Sequence, residues 1–357
     1  MTETERLRFT QIGAFAAVYL IWGSTYLAIQ IAIETLPGLL MSGARAGIGG
    51  LVLYSIARWR GAPRPTAEQW RSASVIGLFL FLGGNGGVVL AEHWVPSGLA
   101  ALFVGAEPLW VVLALAFWPG GSEKPRSRTI AALALGFLGV AALALSGESV
   151  DAGAIPLLPL VIIVLAPLAW AIGSLYSRGA KTPDSGFMAA GTQMITGGVA
   201  LLVAGVLRGE VAQFDPSAVS GRSVAAWFYL LVLGSVVAFG AYSYLVRTTR
   251  PTLVATYAYV NPIVAVFLGW LIAGEAVTGM TLISSALIIG AVVLIGLEER
   301  RRRLSLLVDG VVGGAPCEPA SAEAAAGGLI GPVEATAEAG GELDPCGATP
   351  ATEASGS

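Results

Sequence analysis

Long apolar runs separated by short polar connections make up most of the chain. A run of about 20 apolar residues is long enough to cross the hydrocarbon core of a bilayer as a helix. Ten runs of that kind lie at residues 12–32, 38–58, 72–91, 97–118, 127–146, 157–177, 186–207, 224–246, 252–273 and 278–297. The pattern therefore predicts an all-α membrane protein with ten transmembrane helices.

Lys and Arg residues lie almost entirely on one side of the ten predicted helices. With the N-terminal segment 1–11 placed in the cytoplasm, 17 of the 20 basic residues fall in cytoplasmic segments. Only Arg208 and Arg222 fall outside, and Arg45 lies within the membrane. Because cytoplasmic loops carry such an excess of basic residues, we expect both termini in the cytoplasm and a multi-pass protein of the cell membrane.

Two of the apolar runs carry a polar residue followed by a proline near their middle. These pairs are Glu107-Pro108 and Asn261-Pro262, which lie 154 positions apart. Proline removes a backbone donor and kinks a helix, so we expect helix kinks at Pro108 and Pro262. Helices broken at corresponding places in two halves of a chain are typical of transporter binding sites.

Further matches extend this repeat over both halves of the chain. Arg45 in the second run corresponds to Gln193 in the seventh, at an offset of 148, and a glycine pair follows each of them four residues later. Because each half contains five predicted helices, the second half enters the membrane from the opposite side. We therefore predict two inverted repeats, at 12–146 and 157–297, with the substrate site at the midplane between them.

Composition agrees with a membrane protein and sets the last part of the chain apart. The 357 residues are 55% hydrophobic and 12% charged, with a mean hydropathy of +0.76, whereas soluble domains are about a quarter charged. Residues 298–357 are rich in Ala, Gly, Glu and Pro, which predicts a disordered cytoplasmic tail. Both cysteines, Cys317 and Cys346, lie in this tail, so we expect no disulfide framework, no metal site and no cofactor.

Three segments resemble the drug/metabolite transporter superfamily and, within it, the EamA-domain permeases of the YedA type. They read WGSTYLAIQ, NGGVVLAEHWVPSGLAAL and SYLVRTTRPTLVATYAYVNPIVAVFLGWLIAGE. The resemblance covers about residues 12–297. It implies two EamA repeats of five helices around a central substrate cavity. It also implies the export of metabolites or drugs as the broad activity.

Arg45 and Glu107 are the only formal charges that the sequence places deep in the membrane. Charged residues there are costly, face the bundle interior and usually mark function. We therefore expect both to line the cavity, with Arg45 meeting anionic groups and Glu107 meeting amines or protons. The alternative is a buried structural salt bridge between them.

Other polar and aromatic side chains are candidates for the cavity wall. Each has a structural alternative, because polar side chains join helices in bundles and aromatic side chains are common at membrane interfaces. The further candidate residues for substrate binding are Asn261, Tyr257, Tyr259, Trp22, Trp170, Asn85 and Gln193.

The sequence favours a secondary transporter over other classes of membrane protein. It contains no GxxxxGK[ST] phosphate-binding loop, so ATP is not expected to drive transport within this chain. With one histidine and no HExxH or GxSxG motif, an intramembrane enzyme is not supported. A passive facilitator and a phosphate-sugar exchanger remain alternatives. The expected partners are a small-molecule substrate and the lipid bilayer, without nucleic acid, and homodimer formation is left open.

Overall fold

Helices make up the part of the chain that the computed structural model describes, residues 3–117, 127–145, 155–249 and 257–312, and no strand occurs within it. Within these described residues, eight helices are long and apolar enough to cross a membrane. Two shorter apolar helices, Ser127–Leu143 and Val260–Ala273, lie at the fifth and ninth apolar runs. The all-helical fold is therefore confirmed, whereas the count of ten membrane crossings stays a prediction.

The main helices follow the apolar runs closely. They are α1 (3–33), α2 (Gly38–Trp59), α3 (Ala67–Ala91), α4 (Ser97–Phe117), α5 (Ser127–Leu145), α6 (Leu157–Gly179), α7 (Gly186–Leu207), α8 (221–248), α9 (257–273) and α10 (Gly279–Val312). Side chains cap several of their N-termini: Thr66 forms a capping box with Gln69 before α3, and Ser185 and Ser220 cap α7 and α8.

Two ends of the helix bundle can be distinguished by their contacts. At the Ser97 end, α1 meets the start of α8 through an ion pair of 3.4 Å between Glu34 and Arg222. At the Lys181 end, Lys181 after α6 pairs with Glu68 of α3 at 2.9 Å. Because α3 starts at the Lys181 end and α6 finishes there, these two helices run in opposite directions.

Wide π-helical turns recur at matched positions in the two halves. Leu78–Asn85 in α3 and Leu230–Val237 in α8 are both π-helical, both eight residues long and 152 positions apart. Two shorter π-helical segments, Val18–Trp22 and Gly269–Ala273, lie in α1 and α9. π-helical turns are rare in proteins overall, and those that occur are often found at functional sites. Their recurrence at matched positions therefore supports a repeat in structure as well as in sequence.

Glycine residues bring α2 and α7 into direct backbone contact. A methyl group added at Gly50 would lie 2.8 Å from the backbone nitrogen of Ile195, and one added at Gly198 would lie 2.6 Å from that of Gly47. Gly50 and Gly198 are equivalent positions in the two halves, so the contact is approximately symmetric. Small residues allow this approach, which places the Arg45 and Gln193 positions on the central helix pair.

The last helix is longer than the apolar run that predicts it. α10 continues to Val312, so helix occupies residues 298–312 where the sequence predicts the start of a disordered tail. Glu, Arg and Leu, all favourable helix formers, make up most of residues 298–307, so local propensity supports the helix there. Residues 313–357, which include both cysteines, lie outside the described residues.

Candidate functional site

An aromatic cluster joins helices from both halves of the chain. It consists of Trp22 in α1, Tyr242 in α8 and Tyr257 in α9, with ring centroids 5.2 Å apart for Trp22–Tyr242 and 5.3 Å for Trp22–Tyr257. The Trp22 indole also donates a hydrogen bond of 3.2 Å to the carbonyl of Gly234, inside the π-helical turn of α8. The cluster therefore brings Trp22 and Tyr257, both predicted for the site, to one place.

Glu107 lies at a break in α4 and interacts electrostatically with two tyrosines of this cluster. The helix is interrupted at Ala106, and Glu107 begins its second segment. The Glu107 carboxylate is partly buried and has no hydrogen bond or ion pair to any described residue. Tyr242 and Tyr257 interact with it electrostatically, as does Tyr26 of α1. A carboxylate in this position can receive an amine or a proton.

Arg45 takes a different partner from the one that the sequence suggests. Its side chain is only 7% exposed, and its Nη2 donates a hydrogen bond of 3.0 Å to Oδ1 of Asn85. No ion pair joins Arg45 to Glu107, although the structure describes both residues. The buried Nε of Arg45 has no partner among the described residues. The predicted candidates Arg45 and Asn85 thus form one pair, while the structural salt bridge to Glu107 does not form.

The two proline-containing helices differ in structure. Around Pro108 the helix is broken, whereas Pro262 lies inside an uninterrupted segment, Tyr257–Leu268. Asn261, next to Pro262, is 8% exposed and its Oδ1 has no partner among the described residues. The side chain of Tyr259 lies outside the described residues. A kink at Pro262 stays a prediction, and the Asn261 oxygen is a buried acceptor that no described residue uses.

Trp170 and Gln193 lie on other parts of the bundle. Trp170 of α6 packs against Gly84 of α3, where an added methyl group would meet its ring at 2.9 Å. Trp170 is therefore not among the ring partners of Trp22, its counterpart in the first half. Gln193 lies half-buried on α7. Packing of the Trp170 ring against Gly84 therefore explains its position as well as a role in lining a substrate cavity does.

Glu275 makes a polar contact between the end of α9 and the start of α4. Its carboxylate accepts hydrogen bonds from the backbone N–H of Ser97 (2.8 Å), the Ser97 hydroxyl (2.6 Å) and the N–H of Gly98 (2.9 Å). Gly274, with a φ of 68°, turns the chain so that Glu275 reaches the N-terminus of α4. The free N–H groups of a helix start favour a carboxylate, so Pro96-Ser97-Gly98 is the signal that could have found this contact.

Glu92 is a buried charge that the sequence reasoning missed. It is 1% exposed, at the end of α3, and both carboxylate oxygens lack a partner among the described residues. Arg45 and Glu275 are the charged groups that act on it electrostatically. Neighbouring helices thus cover a charged residue that the sequence places at the membrane edge, whereas the depth predicted for Arg45 and Glu107 stays a prediction.

A cleft of about 440 Å³ lies above Glu92 at the Ser97 end of the bundle. Apolar and polar side chains alternate in its lining, which includes Leu27, Gln30, Ile31, Glu34, Glu92 and Arg222. The cleft is large enough for a small organic molecule. The described part of the chain contains no group of three or more His, Cys, Asp or Glu side chains that could hold a metal ion.

Comparison with known proteins agrees with this architecture. The model of the EamA-like transporter family matches the chain twice, at residues 10–145 and 157–297. A solved crystal structure is similar with a TM-score of 0.55 and 23% sequence identity, covering 82% of this chain and 98% of the other. At that identity the structural likeness shows the fold alone.

Two relatives extend the comparison to named proteins. The uncharacterized inner membrane transporter YedA of Escherichia coli strain K12 is 37% identical over 302 residues, which cover 82% of this chain and 94% of YedA. A probable amino-acid metabolite efflux pump of Salmonella typhimurium is 22% identical over 293 residues, which cover 80% and 94% of the two chains. The chain therefore belongs to the EamA-like transporter family and is a multi-pass membrane transporter, not an enzyme.

Proposed function

We propose that the protein is a secondary transporter that exports a small metabolite, amino acid or drug by alternating access between its two repeats. One observation carries the proposal: the unpaired carboxylate of Glu107 lies at a helix break and interacts electrostatically with an aromatic cluster contributed by both halves of the chain. Unpaired charges inside membrane proteins usually mark substrate or proton pathways. The named efflux pump among the relatives supports export as the direction.

The central site takes its ligand from several helices. Glu107 binds an amine or a proton, and the aromatic cluster packs against the apolar part of the substrate. Asn261 offers its unpaired oxygen, and Arg45, held by Asn85, keeps its Nε for an anionic group. Helices that are broken or widened near the site supply the flexibility that alternating access needs.

Both termini of the proposed transporter lie in the cytoplasm, which places the Ser97 end of the bundle outside. Reporter proteins fused after Arg60 and after Arg303 are then expected to be active only in the cytoplasm, because basic residues remain on that side. A reporter fused at Asp215 should be active only outside. Paired phosphatase and fluorescent-protein fusions measure this directly. An outside signal at Arg303 would contradict the orientation.

Replacing Glu107 by glutamine keeps the shape of the side chain and removes its charge. We expect export to fall by about tenfold or more, the typical cost of losing one charge-assisted hydrogen bond. Because glutamine does not titrate, the pH dependence of export should also flatten. The substrate is first identified as the compound that cells carrying the gene add to the medium, and export is then followed in energised membrane vesicles.

Glu68→Gln is the matched control, since Glu68 is exposed and its ion pair with Lys181 contributes little. This variant should export at the normal rate. Normal export by Glu107→Gln with an unchanged pH profile would remove Glu107 from the site. If the substrate only reaches equal concentrations on the two sides of energised vesicles, the protein is a passive facilitator and not an active exporter.

A further inference from the structure

We propose that Glu92 forms a second binding site, for a primary ammonium group, at the floor of the outer cleft. The site is separate from the central one at Glu107, and only its role as an exit site rests on the proposed direction of transport. The ligand class is an organic ammonium ion whose apolar part lies along the walls of the cleft. The proposal rests on the burial, the missing partners and the charged surroundings of Glu92.

The rim of the cleft does not supply the ligand-binding charge. Glu34 and Arg222 pair with each other across the rim at 3.4 Å, and their side chains are 44% and 58% exposed. Such an exposed pair is strongly hydrated and largely screened. Glu92 is therefore the one carboxylate in the described lining of the cleft that has no partner of its own.

Burial makes the Glu92 carboxylate a strong binding group. A carboxylate removed from water without a partner is strongly disfavoured, so it takes up a proton or a cation. Both of its oxygens are unused by the described residues, which leaves two acceptors for the N–H groups of one ammonium. Leu27, Ile31 and Ile272 provide apolar wall beside it.

The charged groups around Glu92 favour a cation. Glu275, after α9, adds a second negative charge, and its oxygens are already held at the start of α4. Arg45 of α2 carries a positive charge that offsets part of this negative charge. Its guanidinium donates a hydrogen bond to Asn85 and forms no ion pair with Glu92, although the structure describes both residues. Tyr26 of α1 also interacts with Glu92 electrostatically. Two carboxylates thus face one guanidinium, and negative charge remains for a ligand.

Tyr26 connects this site to the central one. It interacts electrostatically with both Glu92 and Glu107. In the proposed direction of export, a substrate amine passes from Glu107 to Glu92 before it leaves through the cleft. A divalent metal is not favoured, because such ions need several oxygen ligands and the described residues offer no such group.

Calorimetric titration of the purified full-length protein with n-butylammonium chloride tests the site. We expect the wild-type protein to bind n-butylammonium and not the neutral n-butanol. Glu92→Gln should weaken binding by about tenfold or more, which corresponds to the loss of a charge-assisted hydrogen bond. The matched control Glu34→Gln, at the rim of the same cleft, should bind as the wild type does.

A second variant keeps the test decisive should Glu92→Gln fail to fold. Ala273→Trp fills the cleft from an exposed position of its lining and leaves Glu92 in place, so it should weaken binding as well. Absence of binding to the wild type, or unchanged binding in either variant, overturns the proposal. So does binding that is lost in Glu107→Gln and kept in Glu92→Gln. This experiment measures binding at Glu92 and not transport. A failure of the Glu92 proposal therefore leaves the central-site proposal standing. Normal export by Glu107→Gln, in turn, would leave the binding result for Glu92 unchanged.

Discussion

Replacing Gly50 by leucine is expected to abolish the folded protein. The added Cβ would lie 2.8 Å from the backbone nitrogen of Ile195 and 2.9 Å from the carbonyl oxygen of Gly191. Backbone atoms cannot rotate away as a side chain does, so α2 and α7 would have to separate. Overpacking a core with flexible neighbours costs about 1–3 kcal/mol, and we expect a larger loss at this rigid contact. Size-exclusion chromatography of a fluorescent fusion measures the folded fraction.

Gly47→Leu is the matched control on the same helix. A Cβ at Gly47 would meet nothing within 4 Å, so leucine can extend there without displacing α7. We expect the Gly47 variant to give a symmetric monodisperse peak and the Gly50 variant to aggregate or disappear. Equal amounts of folded protein from both variants would show that the α2–α7 contact tolerates a wider separation.

Helix positions could be predicted from the sequence because they depend on local properties. An apolar run long enough for a bilayer, a proline before α4 and a serine cap before α7 are each visible in a few neighbouring residues. The matched glycines of α2 and α7 are visible in the same way, as a small-residue pattern at a fixed offset. The end of α10 was harder to place, because its charged turns combine a helix-favouring pattern with a polar composition.

Side-chain partners could not be predicted to the same extent. Depth in the membrane follows from position along a helix, but rotation about the helix axis is set by packing. Arg45 and Glu107 are both predicted deep in the membrane, yet Arg45 bonds Asn85, whereas Glu107 interacts electrostatically with Tyr257. Trp22 and Trp170 match in sequence and still pack in different surroundings. A repeat in the chain therefore predicts equivalent backbone positions better than equivalent contacts.

The burial of residues near the membrane edge could not be predicted from the sequence either. Glu92 ends α3 only a few residues before Pro96, where a sequence pattern places charges in contact with water. Its burial depends on the start of α4, where Gln30 of α1 and Glu275 both accept hydrogen bonds from Ser97 and draw α1 and α9 together. These contacts join residues up to 178 positions apart, which no local pattern reports.

Removing the carboxylate of Glu275 is expected to cost the protein about 2–4 kcal/mol of folding free energy. Hydrogen bonds to a charged acceptor contribute about 1.5–3 kcal/mol each, although bonds to one group are not additive. Glu275→Ala leaves the Ser97 hydroxyl and the Gly98 N–H without this acceptor, while Gln30 still accepts from the Ser97 N–H at 3.1 Å. The melting temperature of the purified protein should therefore fall by several degrees.

Glu275→Gln and Glu34→Ala separate charge from packing in this test. The glutamine variant keeps an oxygen acceptor and should melt between the wild type and Glu275→Ala, because it loses the attraction of the helix N-terminus for a negative charge. Glu34→Ala removes an exposed ion pair at the same end of the bundle and should melt as the wild type does. Wild-type melting of Glu275→Ala would mean that water replaces the carboxylate at no cost. In that case the junction between the end of α9 and the start of α4 would be an open, hydrated surface, and the floor of the outer cleft would not depend on it.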